Sequence, residues 1–113
     1  MQNSKEIIFK TAYYCLNNWG FTCAYCGNVK MMIYTRDNPK TCLGYLDISS
    51  NKTMPVLTIE HYPNDSNADL KKELVHILSS GCYIKKLKQI KIPCNIPGRF
   101  RETFEILEFK NDE

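Results

Sequence analysis

The sequence predicts an α+β domain: an antiparallel sheet of about five strands with two helices, in the order αβββαββ, over residues 1–113. Three observations predict it. Apolar residues recur at helical spacing before Trp19 and again from Leu70. Between those stretches lie three runs rich in apolar and β-forming residues, separated by short segments of strong turn chemistry. The chain has 113 residues, of which 43% are hydrophobic and 24% charged, enough for one compact core without disorder or a fibrous repeat.

The first helix is expected over residues 4–18. Asn3 with Glu6 three positions later suits an N-cap, and Ile8, Ala12, Cys15, Leu16 and Trp19 form the apolar stripe. Asn17-Asn18 followed by Gly20 supplies the stop. Cys15 reads as a small buried hydrophobe, and Trp19 as a partly buried ring where this helix meets the sheet.

Val29–Tyr34, Cys42–Ile48 and Met54–Tyr62 read as strands of a meander. In the third, Met54, Val56 and Thr58 face one way and Leu57 and Ile59 the other, so both faces are covered and the strand is central. Ser66 with Asp69 opens a second helix, whose buried stripe is Leu70, Leu74, Ile77 and Leu78 and whose end is Ser79-Ser80-Gly81. His76 lies off that stripe and reads as solvated. The stretch from Cys82 to Ile92 and Thr103–Phe109 then read as strand, turn and strand about Pro93–Gly98.

Several classes are excluded or disfavoured. No apolar run approaches the roughly 18 residues of a membrane span. Met1-Gln-Asn-Ser-Lys-Glu-Ile has no apolar signal region, so the expected location is cytoplasmic and the six cysteines are expected to be reduced. The abundance of Lys, Asn, Ile and Tyr is what AT-rich coding produces, which fits low-GC bacteria, their phages or mobile elements and some viruses alike. No Ser/His/Asp arrangement, Gly-rich phosphate loop or H-E-x-x-H motif is present, so enzymatic activity is not expected.

One stretch has a chemical spacing, Cys23-Ala-Tyr-Cys26-Gly27. Read as a turn, it aims two thiolates at one metal, and Cys23 and Cys26 are the candidate zinc ligands. A structural site needs four ligands, and the second pair must come from Cys42, His61, Cys82 and Cys94, each isolated in the chain. A redox dithiol and plain reduced thiols in a turn are the other readings, and no cofactor is expected beyond that zinc. With Asp37-Asn38-Pro39 downstream, the stretch resembles the opening of an HNH nuclease. Asn38 stands where that family has its catalytic histidine and no closing C-x-x-C follows, so nuclease chemistry is not inferred. The αβββα order also resembles a double-stranded-RNA-binding domain, without the Gly- and Ala-rich signature of that family's second helix.

The charge distribution carries the functional expectation. Lys85, Lys86, Lys88, Lys91, Arg99 and Arg101 lie between Gly81 and Arg101 with no acid among them. The rest of the chain holds nine cations against twelve anions. The expected function is non-specific nucleic-acid binding, single- or double-stranded, by phosphate neutralisation through these six residues, with Tyr83 and Phe100 stacking on bases. Such an accessory protein would assist a larger replication, repair or mobile-element enzyme. The alternative is a protein-interaction module, an inhibitor or a subunit of an enzyme complex, docking the same segment on an acidic surface. A solvated face paired with the acids after it, at Glu102, Glu105 and Glu108, is the third reading.

Overall fold

A computed structural model describes residues 4–27, 29–47, 56–80 and 84–109, with side chains for all of these but 4–9, 11, 80, 84–88 and 106–109. Asn3, Ile48, Met54, Gly81, Cys82 and Tyr83 lie outside the described residues, as do the side chains of Lys85, Lys86, Lys88 and Glu108.

The elements are α1 (Ser4–Asn18), β1 (Phe21–Cys26), β2 (Lys30–Thr35), β3 (Gly44–Asp47), β4 (Val56–His61), α2 (Ala68–Ser80), β5 (Ile84–Pro93) and β6 (Phe100–Phe109). The α+β class and the antiparallel sheet are as expected, but the sheet has six strands and the order is αββββαββ. The additional strand is β1, the stretch read as a cysteine turn. Phe21, Cys23 and Tyr25 alternate with Thr22, Ala24 and Cys26, and the whole segment pairs with β2 from Phe21↔Thr35 to Cys26↔Lys30. Gly27, at φ 66°, turns the hairpin between them.

The sheet runs β1-β2-β3-β4-β6-β5 with every pairing antiparallel. The first four strands form the meander. After α2 the chain leaves one strand position open, lays down β5 at the far edge, and returns through β6 to fill the gap beside β4. Gly44 permits close approach of β3 and β4: a Cβ there would stand 2.8 Å from the Thr58 carbonyl oxygen and 3.0 Å from Ile59 Cγ1.

Both helices contribute to one core. Leu16 and Ala12 of α1 and Leu74, Ile77 and Leu78 of α2 meet Phe21, Met31, Ile33, Leu46, Leu57, Ile59 and Phe104 of the sheet. The cross-strand partners Met31↔Leu46, Leu46↔Leu57 and Leu57↔Phe104 place these groups on one face, which explains why the helices share it. Leu57, Thr58 and Ile59 are all buried, so β4 is covered on both faces as its composition predicts. His76 is exposed, as expected from its place off the stripe.

Trp19 does not pack where it was expected; 59% of its surface is exposed. It has already left α1, its amide bonding Leu16 O at 3.0 Å, and Gly20 at φ 90° turns the chain straight into β1. Phe21, only 2% exposed, takes the core place instead. Arg36 closes the helix end by donating from Nη2 to Asn17 O at 2.8 Å. Cys15 is buried as expected. It is, however, disulfide-bonded. Cys23, Cys26, Cys42 and Cys94 are free. Among the described residues no helix is long and apolar enough to cross a membrane.

The contrast between Leu57 and Trp19 is testable by denaturant unfolding. Leu57→Ala should cost about 2–5 kcal/mol, because it empties a site buried among strands and helices. Trp19→Ala should stay within about 0.5 kcal/mol, as surface substitutions do. The reverse ranking would contradict the packing at the end of α1.

Candidate interaction surface

The six cations fall on β5, on the tip of the β5–β6 hairpin and on the first residues of β6. A bare positive face would need them to stand clear of acids. The register does the opposite: it sets Lys86 opposite Glu108, Lys88 opposite Glu105 and Lys91 opposite Glu102. Directly opposite residues in an antiparallel pair are the closest cross-strand neighbours, so these positions are matched in charge. Ten or more residues lie between the members of each pair in sequence, which is why composition alone shows an uncompensated run.

The two arginines converge on a third strand. Arg101 Nη2 donates to Glu60 Oε1 at 2.9 Å, and Arg99 Nη2 lies 3.8 Å from Glu60 Oε2. Tyr62 donates its hydroxyl to Glu60 Oε2 at 2.9 Å. The Tyr62 bond, and then Arg101, hold the Glu60 carboxyl below its ordinary value, while Glu60 pushes the Tyr62 hydroxyl up. The Arg99 guanidinium sits 5.0 Å from the Tyr62 ring centre.

Phe100, assigned above to base stacking, has its ring engaged within the protein. It stacks on His61 with centroids 4.5 Å apart and an interplanar angle of 16°. Lys91 Nζ lies 5.2 Å from the same ring centre. His61 Nε2 in turn donates to Glu102 Oε1 at 3.0 Å, and Gln89 Nε2 donates to Glu102 Oε2. Glu102, 9% exposed, therefore holds one oxygen toward β4 and the other toward β5. Beside it, Lys71, at the start of α2 and 3% exposed, donates to Glu60 O at 2.6 Å and to the Asp65 carboxylate. Asp65 also accepts the Asn67 amide at 2.9 Å. Burial would raise the Asp65 carboxyl, but the Lys71 bond and the Asn67 amide outweigh it and hold the group below its ordinary value.

This network escaped the sequence reading. Lys71 looks like any solvated lysine on a helix, and only the Pro63–Asn67 turn, which brings Asp65 back toward it, reveals the pairing. Asp65 with Asn67 two residues on was the available signal, since that spacing makes an Asx turn.

Cys23 and Cys26 do not form the expected knuckle. Three residues apart on a strand, they point to opposite faces of the sheet. Cys23 packs against the core, and burial pushes its thiol up to about 12. Cys94 sits at the hairpin tip and His61 is bonded to Glu102. Among the described residues no group of three or more potential ligands lies together.

Besides Tyr14, Trp19 and Tyr25 near the end of α1 and on β1, apolar groups are exposed on the hairpin. Gln89 to Gly98 are all exposed, and within them Ile90, Ile92 and Ile96 leave 37%, 51% and 51% of their surfaces open. Met32, Tyr45, Thr58, Glu60 and Tyr62, with Lys71 of α2, border a pocket of about 210 Å³. No protein-family model matches the sequence, and no curated protein or solved structure is significantly similar to it.

Two measurements check the network. Asp65→Ala strands the buried Lys71 ammonium and should cost about 3–5 kcal/mol, whereas adding Lys71→Met should recover part of that loss. Simple additivity of the two changes would contradict the pairing. Glu60 and Asp65 both have folded values below their ordinary 4.5 and 3.8, so their stabilisation is present above those values. It is lost as pH falls through the folded values. Melting temperature should therefore drop on the acid side of 4.5, and less steeply in Glu60→Gln with Asp65→Asn. Equal slopes would count against both contacts.

Proposed function

We propose that the protein is a non-enzymatic protein-interaction module, an inhibitor or a subunit of an enzyme complex, that docks through the β5–β6 hairpin. The observation that carries this reading is the exposed run from Gln89 to Gly98, in which Ile90, Ile92 and Ile96 stand open beside cations whose strand partners are acids. Apolar groups interleaved with matched charges suit a protein surface, where an apolar centre and a polar rim are both needed. Affinity comes from covering the isoleucines, and the lysines and arginines select an acidic rim.

Non-specific nucleic-acid binding is the second reading, and the run of six cations itself favours it. It has less support, because a phosphate track gains its energy from releasing counterions held by unpaired charge. In the β5–β6 register Lys86, Lys88 and Lys91 each face an acidic position, so the segment is less purely cationic than its sequence. The engaged Phe100 ring also removes one of the two proposed stacking platforms.

A salt titration with labelled single- and double-stranded DNA and RNA separates the two. The protein-interaction reading predicts weak binding with a shallow salt dependence, and loss of partner capture in Ile92→Asp with the fold intact. A loss of roughly a thousandfold or more in affinity between about 50 and 200 mM salt would establish the nucleic-acid reading instead.

A further inference from the structure

The strand order offers a partner one way to engage the hairpin. We infer that the free edge of β5 accepts an extended acidic segment of a partner protein as a seventh, antiparallel strand. This inference rests on the protein-interaction reading and adds the kind of partner. Strand β5 ends the sheet and pairs only with β6 among the described residues. Its other edge therefore carries a row of backbone N–H and C=O groups with no strand beside it. From Gln89 to Pro93 every residue is exposed, so neither helix covers this half of the strand on either face.

An edge of this kind needs donors and acceptors in alternation. Phosphates only accept, whereas a peptide backbone supplies both. Ten residues span roughly 33 Å, long enough for a full strand of pairing. The side chains then decide which peptide. Over Ile84–Pro93 the sequence IKKLKQIKIP holds four lysines and no acid. A second copy of β5 would bring four lysines against four, and that repulsion disfavours self-pairing.

The chain already contains the complementary solution. Strand β6, FRETFEILEF, carries a glutamate at every third position among mostly apolar residues and lies against β5 with Glu102, Glu105 and Glu108 opposite Lys91, Lys88 and Lys86. The partner strand is expected to repeat that chemistry, with acids spaced among aliphatic or aromatic residues that cover Ile90 and Ile92. The opposite edge, β1, offers six residues, FTCAYC, without a charge, so it provides no comparable selection.

The test uses the whole protein and a synthetic peptide of sequence FRETFEILEF, capped at both ends. Binding is followed by backbone amide shifts and hydrogen exchange. Two further peptides keep its side chains but carry N-methyl groups on alternate backbone nitrogens, one set on each edge. The expected result is slowed exchange at alternate amides of residues 89–93. Affinity should fall about tenfold when the peptide glutamates are replaced by lysines. At least one N-methylated peptide should fail to bind, because the groups that would pair are blocked. Equal binding of both N-methylated peptides would overturn edge pairing while leaving side-chain docking, and with it the broader proposal, standing. Absence of any protection in β5 at roughly 1 mM peptide would also overturn the inference. Lys91→Gln in the protein should weaken the acidic peptide without adding a like charge beside Glu102.

Discussion

The Glu102 carboxylate ties together the part of the molecule where the proposed function resides. It stands on β6, accepts from His61 of β4 at one oxygen and from Gln89 of β5 at the other, and is nearly buried. A buried carboxylate without partners would cost several kcal/mol, so these bonds strongly constrain how the strands can be arranged. Because β6 is the last strand made and fills a gap between two earlier ones, its register determines where β5 lies. The exposed edge, the matched lysines and the open isoleucines all follow from that placement.

The same geometry sets a segment that is wholly basic in sequence beside acidic positions. Strand pairing brings acids from after the segment alongside it, and Arg99 and Arg101 reach across to Glu60 on a third element. A protein partner of the kind proposed would be selected by where its carboxylates sit.

Much of the architecture was legible in the sequence because it rests on local periodicity. Leu16, Leu74 and Ile77 mark helix faces, and the two-sided burial of β4 is visible in Leu57, Thr58 and Ile59. The misreadings have identifiable causes. The spacing of Cys23 and Cys26 matches a metal turn, yet Phe21, Thr22 and Tyr25 are β-formers and Gly27-Asn28 is a hairpin signal, and the local strand preference won. Trp19 continues the stripe of α1 on paper, but the helix ends one residue earlier and Gly20 redirects the chain. The charge pairing of β5 was hidden for another reason. Register is a property of two strands, and no single stretch of sequence encodes which lysine meets which glutamate.

Native-state hydrogen exchange on Glu102→Ala, compared with the unaltered protein, tests most directly whether this carboxylate holds the hairpin to the sheet. Loss of protection concentrated in β5 and β6, with β1 to β3 little changed, is the predicted result. Protection that falls evenly over all six strands, or does not fall at all, would contradict it.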